Sequence, residues 1–219
     1  MLKMGEELQR RFPGLAAQLA LVEGVTVERE KAELQEFKRQ VEEEVKKSHD
    51  LATIKDHPLM RAYRDFYWRI EIDPTKDRPA AEALVRRVLA GKPLPTINTF
   101  VDAYNLASVK SFIPMGAFDA DKITGELLLR PALAGEEFLG IGMQVPQLLK
   151  GNEPVVADEE KLIAVYPYRD AESTKITAST KNVLLMICGV PGVETAKLEK
   201  ALGVAVDIIA RFCGGRFRD

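Results

Sequence analysis

A run of polar and turn-forming residues in the middle of the chain has the composition of a site that positions water and stabilises charge. Its members are Asn98, Asp102, Asn105, Pro114, Gly116, Asp119, Gly125, Arg130, Gly135 and Glu136. Such side chains can orient a water molecule and neutralise developing charge without a covalent intermediate. Each also has a structural interpretation: Asn98 and Asp102 as caps or braces of a helix, and Arg130 and Glu136 as an ion pair.

The other reactive side chains are too few or wrongly spaced for metal, covalent or redox chemistry. His49, His57, Cys188 and Cys213 lack the spacing of a zinc site. The sequence contains neither a Gly-x-x-x-x-Gly-Lys-Ser/Thr phosphate loop nor a Gly-x-Ser-x-Gly nucleophile elbow. We therefore expect no metal and no cofactor, and any reaction here depends on aligned water.

Three motifs follow one another over residues 98–136. They are Asn98-Thr99-Phe100-Val101-Asp102-Ala103-Tyr104-Asn105, Pro114-Met115-Gly116-Ala117-Phe118-Asp119 and Arg130-Pro131-Ala132-Leu133-Ala134-Gly135-Glu136. In these motifs the sequence resembles the tRNA-binding editing domain of the phenylalanyl-tRNA synthetase β subunit. Further matches are Val156-Ala157-Asp158 and Thr180-Lys181-Asn182-Val183-Leu184-Leu185, so the resemblance covers most of residues 93–190.

The resemblance implies both a fold and an activity. The fold is α+β, a mixed β-sheet core flanked by helices, here as a freestanding copy with an N-terminal strand and helix extension. The activity is hydrolysis of the ester bond in wrongly charged tRNA by water aligned in a pocket. The pocket candidates are Asn98, Asn105, Pro114, Gly116, Glu136, Arg169, Asp170, Thr174, Thr177, Thr180 and Met186.

The sequence departs from the family pattern at three places. Gly116 stands where the family usually has histidine, and Met186 falls near the family's pocket glutamate, which discriminates a tyrosine hydroxyl. Tyr168-Arg169-Asp170 replaces a double-glycine turn. A methionine in place of a carboxylate favours an apolar amino-acid side chain, because a buried hydroxyl without a partner is penalised. We expect Gly116, Met186 and Thr180 to line one cavity.

The segment after Tyr168 is rich in hydroxyl groups. Arg169 and Asp170 are followed by Thr174, Thr177 and Thr180. Beside an arginine, such a loop can hold a terminal adenosine, a phosphate or the attacking water. The alternative is a surface loop between two strands, where threonine is common.

The charge distribution gives one candidate RNA-binding surface. The net charge is −2, but residues 51–100 carry nine basic and six acidic side chains. Arg61, Arg64, Arg69 and Trp68 can contact phosphates and stack on bases, or they are arginines packed around one tryptophan. We expect weak, salt-sensitive binding to the 3′ aminoacyl end of tRNA, and no binding to DNA or to a membrane.

Two further functions remain open at this stage. A non-catalytic RNA- or tRNA-binding module predicts binding without turnover. A small-molecule protein that binds an amino acid or a nucleoside predicts stabilisation by that free ligand.

Hydrophobic periodicity places the elements that position these residues. It predicts helices over residues 28–48, after Pro58, from Pro79 to Gly91, over residues 96–111, and before Gly214-Gly215. Strands are predicted over residues 15–27, interrupted at Gly24, and over residues 127–130, 162–166 and 183–188. The segment 162–166 alternates as a half-buried strand does, and 183–188 reads as a central one.

Length and composition agree with a mixed α+β domain. The chain has 219 residues, of which 46% are hydrophobic, enough to bury a core without disulfides. Residues 1–50 are predicted to be an N-terminal extension packed on an editing-like domain of residues 51–219. We find neither a signal peptide nor a membrane-spanning stretch, and expect a cytoplasmic protein.

Overall fold

The computed structural model describes residues 2–218 and confirms the mixed α+β class. Its α-helices in that range are α1 (Glu6–Arg11), α2 (Ala32–Ser48), α3 (Pro58–Arg69), α4 (Ala80–Leu89), α5 (Thr99–Ser111) and α6 (Thr195–Cys213). Its strands there are β1 (Leu2–Met4), β2 (Ala16–Glu23), β3 (Met115–Asp119), β4 (Leu127–Pro131), β5 (Glu137–Phe138), β6 (Gln147–Leu148), β7 (Pro154–Ala157), β8 (Leu162–Val165), β9 (Arg169–Asp170), β10 (Asn182–Gly189) and β11 (Arg216–Arg218).

The long strands β2 and β10 form the centre of a four-stranded antiparallel sheet. The strand order is β11-β2-β10-β3, and β10 pairs with β2 over all eight of its residues. The apolar run from Leu185 to Cys188 is buried within it. The predicted central strand at 183–188 is therefore confirmed, and β3 is left at one edge of this sheet.

A five-stranded sheet has the order β1-β4-β7-β8-β9, so β9 lies at its edge. β1 runs parallel to β4, and the other neighbours are antiparallel. The prediction that 162–166 is half-buried was wrong, because all four residues of β8 are buried. β8 lies inside the sheet, with β7 on one side of it and β9 on the other. The short hairpin β5–β6 is inserted between β4 and β7.

The helices begin slightly later than the periodicity predicts. α2 begins at Ala32 rather than residue 28, and α5 begins at Thr99 rather than residue 96. Asn98 keeps an extended backbone, and its side chain accepts a hydrogen bond from the Val101 N–H at 2.9 Å. This is the N-cap arrangement that ends a preceding extended segment and starts a helix. α5 packs along α6, which in turn packs on β2 and β10.

The first fifty residues contribute strands to both larger sheets. β1 pairs with β4, and β2 pairs with β10 and β11. The sequence analysis missed both β1 and α1, which are short. The proposed boundary at residue 50 remains a prediction. None of the helices found in residues 2–218 has the length and apolarity that crossing a bilayer requires.

Candidate active site

A cavity of about 150 Å³ lies where the edges of the two larger sheets approach each other. β3 and β10 supply one side, β8 and β9 another, and α5 closes it. The residues that line it are Ala80, Tyr104, Asn105, Met115, Gly116, Ala164, Val165, Tyr166, Pro167, Tyr168, Arg169, Asp170, Met186 and Cys188. The cavity thus brings together five of the predicted pocket residues: Asn105, Gly116, Arg169, Asp170 and Met186.

Gly116 and Asp170 share one space. β3 places Gly116 directly opposite Met186 on β10. A Cβ atom on Gly116 would lie 2.9 Å from Asp170 Oδ1 and 3.1 Å from Oδ2, closer than side chains tolerate. The glycine therefore makes room for the carboxylate. A side chain from β9 thus occupies the space that a side chain at position 116 of β3 would fill.

The Asp170 carboxyl lies in a setting that disfavours its charge. Desolvation by the surrounding protein raises the pKa of Asp170 to about 7, and the backbone N–H of Ala117 opposes this only in part. Arg169 does not supply a counter-charge. Its guanidinium donates to the Ile141 carbonyl at 3.4 Å and lies over the Tyr168 ring, 5.2 Å from its centroid. Asp170 is partly exposed, so the carboxyl remains open to the cavity.

α5 directs Tyr104 and Asn105 into the cavity, and its own start is firmly anchored. Asp102, one turn before Asn105, accepts from the Ile97 N–H at 2.9 Å and forms an ion pair with Lys38 at 2.9 Å. The predicted capping and bracing roles of Asn98 and Asp102 are confirmed. Burial raises the pKa of the Tyr104 hydroxyl far above its usual value, and the charge of Asp170 adds to the shift. Tyr104 is therefore a neutral hydrogen-bond donor at physiological pH.

The loop between β5 and β6 fixes β9 from outside. The Ile141 N–H donates to the Asp170 carbonyl at 2.9 Å, and Gly140 pairs with Ala171 in an isolated bridge. A Cβ on Gly140 would lie 2.3 Å from Cδ of Arg169, so this glycine allows the arginine side chain to cross the loop. The backbone of Asp170 is thereby held in place.

Several predicted pocket residues have structural roles away from the cavity. Glu136 forms a bidentate ion pair with Arg130 at 2.6 and 3.0 Å, which confirms the predicted pairing. Asn98 is the cap of α5. Pro114 accepts the Cys188 N–H at 3.0 Å through its carbonyl, at the start of β3, but does not line the cavity.

The threonine-rich segment lies at the other end of β10, and the expectation that Thr180 shares a cavity with Gly116 and Met186 was wrong. The Thr180 hydroxyl donates to Asp119 Oδ2 at 2.8 Å and accepts the Thr177 N–H at 3.0 Å. Thr174 is fully buried in a short 3₁₀ turn. The physical reason is strand length, since the four steps from Asn182 to Met186 span about 13 Å at roughly 3.3 Å per residue.

The predicted RNA-binding residues on α3 divide into exposed and structural ones. Arg61, Trp68 and Arg69 are exposed, with 55% of the Trp68 surface accessible. Arg64 is not available, because its guanidinium donates to the buried Glu82 carboxylate at 3.0 Å. The Arg69 guanidinium lies 4.9 Å from the ring centroid of Phe12.

The sequence of residues 62–215, which includes the cavity, matches a known protein family. The model of the B3/4 domain covers residues 62–215 of this chain, which is well over half of it. The chain belongs to the B3/4 domain family. All of the cavity-lining residues of this B3/4 domain fall inside the matched range.

Known proteins that contain a similar B3/4 region are much longer. The phenylalanine–tRNA ligase beta subunit of Fusobacterium nucleatum is 33% identical over 114 residues, 52% of this chain and 14% of the relative. That of Carboxydothermus hydrogenoformans is 31% identical over 147 residues, 67% of this chain and 18% of the relative. The chain therefore spans less than a fifth of the length of either relative.

A solved structure shows the same fold. An N-terminal fragment of the phenylalanyl-tRNA synthetase beta subunit from Pyrococcus horikoshii superposes with a TM-score of 0.54 at 19% identity. The match covers 100% of this chain and 50% of the other. It therefore includes β1 and β2, which precede the residues matched by the B3/4 model.

The sequence analysis missed four functional candidates of this B3/4 domain: Tyr104, Met115, Tyr168 and Cys188. Cys188 could have been predicted, because alternate residues of a strand share a face and Cys188 follows Met186 by two positions. Tyr168 was noted only as part of a replaced turn. For Tyr104 no signal existed, since helical spacing alone does not show which neighbour of Asn105 turns toward a cavity.

Proposed function

We propose that this B3/4 domain acts in trans on tRNA that carries the wrong amino acid and hydrolyses the aminoacyl ester with a positioned water. The observation that carries this proposal is the cavity at the sheet edges, which combines apolar side chains with a carboxyl group that has no counter-charge. The link to tRNA comes from its similarity to the phenylalanine–tRNA ligase beta subunits. Its place of action is then the cytoplasm, where charged tRNA is used.

The cavity suits an apolar side chain of limited size. Its volume of about 150 Å³ is comparable to that of an engineered apolar cavity that binds benzene, also roughly 150 Å³. Met115, Val165 and Met186 give it an apolar surface. Because Met186 has no oxygen to accept a hydroxyl proton, a phenolic group gains nothing on that side of the cavity.

The exposed end of α3 is our candidate for contact with the RNA. Trp68 offers an aromatic face, and Arg61 and Arg69 offer charge on the same helix. Tyr67, next to Trp68, packs edge-on against Tyr168 at 6.3 Å between ring centroids, so this end of α3 adjoins the cavity wall. Two or three phosphate contacts give weak binding that falls with added salt.

The experiment is a panel of one tRNA acylated in turn with alanine, valine, leucine, phenylalanine and tyrosine. We expect release of at least one apolar amino acid well above the uncatalysed rate. Trp68→Ala should weaken tRNA binding by at least about fivefold, as for the loss of one stacking contact worth about 1–3 kcal/mol. Ile97→Ala is its matched control, since Ile97 is equally exposed, at 55%, and lies outside α3.

The same measurements separate the other two functions. Salt-sensitive tRNA binding without turnover of any substrate contradicts hydrolysis and supports a non-catalytic tRNA-binding module. A rise in melting temperature with a free amino acid or nucleoside, and no response to tRNA, supports a small-molecule protein.

A further inference from the structure

The cavity contains one acidic side chain among the described residues, and three features of the fold hold it there. Asp170 is on the edge strand β9, whose backbone is fixed by the Ile141 N–H at 2.9 Å. Gly116 leaves the carboxylate room that any other residue would fill. The N–H of Ala117, on the unpaired edge of β3, faces the same carboxylate.

This placement costs stability, and the single hydrogen bond from the Ala117 N–H offsets only part of that cost. A buried carboxylate is normally paired with a cation or bound by several donors, because desolvation of an unpaired charge is expensive. The neighbouring Arg169 could be such a cation, yet its guanidinium is directed to Ile141 and Tyr168. An unpaired carboxyl that is open to a cavity is typical of a functional group rather than of a packing element.

We propose that Asp170 is the general base of the reaction, accepting a proton from the water that attacks the aminoacyl ester. This inference rests on the proposed function above. The water oxygen forms a bond to the ester carbonyl carbon while its proton passes to Asp170. The bond between that carbon and the ribose oxygen then breaks, and the leaving oxygen takes the proton back from Asp170. One water is consumed, and the products are the free amino acid and the tRNA with its hydroxyl restored.

The electrostatics of the site suit this role. A general base works best when its pKa lies near the working pH, and burial holds the pKa of Asp170 at about 7. At neutral pH about half of the molecules therefore have the carboxylate form. Tyr104 and Asn105 line the same cavity from α5 and supply neutral donors for the ester carbonyl.

The test uses the full chain and the substrate that the panel shows to be hydrolysed fastest. Single-turnover rates are measured from pH 5.5 to 8.5 for the wild type and for Asp170→Asn, which keeps the shape of the side chain. The control is Asp77→Asn, which removes an exposed carboxylate that accepts from the Tyr168 hydroxyl at 3.2 Å. Melting curves of all variants verify folding.

We expect the wild-type rate to rise about tenfold per pH unit below pH 7 and to level off above it. Asp170→Asn should be at least 100-fold slower at pH 7.5 and lack this inflection, whereas Asp77→Asn should follow the wild type. Gly116→Ala retains the charge but displaces the carboxylate, so we expect a loss of at least tenfold with the inflection preserved or shifted.

The outcomes distinguish this inference from the function on which it rests. If the wild type hydrolyses a substrate and Asp170→Asn keeps both its rate and its pH profile, Asp170 is not the base and the proposed function stands. If the folded wild type hydrolyses none of the substrates, both are overturned.

Discussion

Two aspartates of this molecule, the buried Asp102 and the half-buried Asp170, have opposite surroundings. Asp102, in α5, is 2% exposed and accepts from both Lys38 Nζ and the Ile97 N–H at 2.9 Å. Asp170, in β9, has a single backbone N–H beside it and an open cavity in front. The first carboxylate has its charge neutralised by the fold, and the second keeps its capacity to take up a proton.

The Lys38–Asp102 pair is part of a saturated network. The ammonium group donates three hydrogen bonds, to Asp102 Oδ2, to the Pro95 carbonyl at 2.7 Å and to the Thr96 hydroxyl at 3.0 Å. Such a network, with every donor used, fixes one conformation of the backbone before α5. Asp102 thus has two donors, one of them a cation, whereas Asp170 has one backbone donor and no cation.

The largest expected effect concerns the paired aspartate. Lys38→Met keeps the length of the side chain but leaves the Asp102 charge buried without its cation, so we expect a loss of about 3–5 kcal/mol in the free energy of unfolding. Urea denaturation measures it. Lys110→Met is the control, because Lys110 forms an ion pair with the exposed Glu44 at 3.0 Å and should cost less than about 1 kcal/mol. Equal losses in the two variants would show that the buried Lys38–Asp102 pair stabilises the fold no more than the exposed Lys110–Glu44 pair does.

The second prediction concerns the pH dependence of stability. The pKa of Asp170 is raised from 3.8 to about 7 on folding, so between these values the folded state holds a proton that the unfolded state has released. The free energy of unfolding therefore falls as pH rises through that window. Such a shift is worth at most about 4 kcal/mol, and contact with cavity water reduces it to roughly 2 kcal/mol.

Asp170→Asn lacks this titration, so its stability relative to the wild type should increase from pH 4.5 to pH 7.5. Chemical denaturation of both proteins at several pH values measures the difference. A constant difference across the range would show that Asp170 has an ordinary pKa and that its surroundings do not penalise its charge.

The third and smallest effect tests whether positions 116 and 170 share one space. Gly116→His alone should clash with the Asp170 carboxylate, and combination with Asp170→Gly should relieve the clash. We expect a coupling free energy of about 1 kcal/mol or more in the double-mutant cycle. Gly116→His combined with Asp77→Gly is the control cycle, for which additivity is expected. Additivity in both cycles would mean that positions 116 and 170 do not share one space.

Much of the fold follows from local sequence patterns. The apolar run of β10, the stripe of α6 and the cap of α5 at Asn98 are all set by spacing within one element. For the central part of α5 the sequence did not show which residues turn toward the cavity. In the structure Tyr104 and Asn105 face it, whereas Ser108 donates to the Ile113 carbonyl at 2.7 Å.

The site was only partly predictable for a geometric reason. Gly116 and Met186 are cross-strand neighbours within one sheet. Both were predicted as pocket residues from the resemblance to the family. The contact between Gly116 and Asp170 joins two different sheets, and the direction of the Arg169 side chain depends on the β5–β6 loop. No pattern within a single element encodes which carboxyl lacks a partner. The prediction that Thr180 lines the cavity failed for a similar reason. Thr180 and Met186 are close in sequence, but part of strand β10 separates them in space.

The meeting of β3 and β9 has one more consequence. The outer edge of a sheet offers unpaired backbone groups to which a strand of another molecule can attach, which is a common route to aggregation. In this fold the outer edge of β9 is bonded to Gly140 and Ile141, and the Asp170 carboxyl lies against the Ala117 amide on the outer edge of β3. The Asp170 side chain thus also shields this part of β3 from foreign chains, and a variant that removes it would be more prone to self-association.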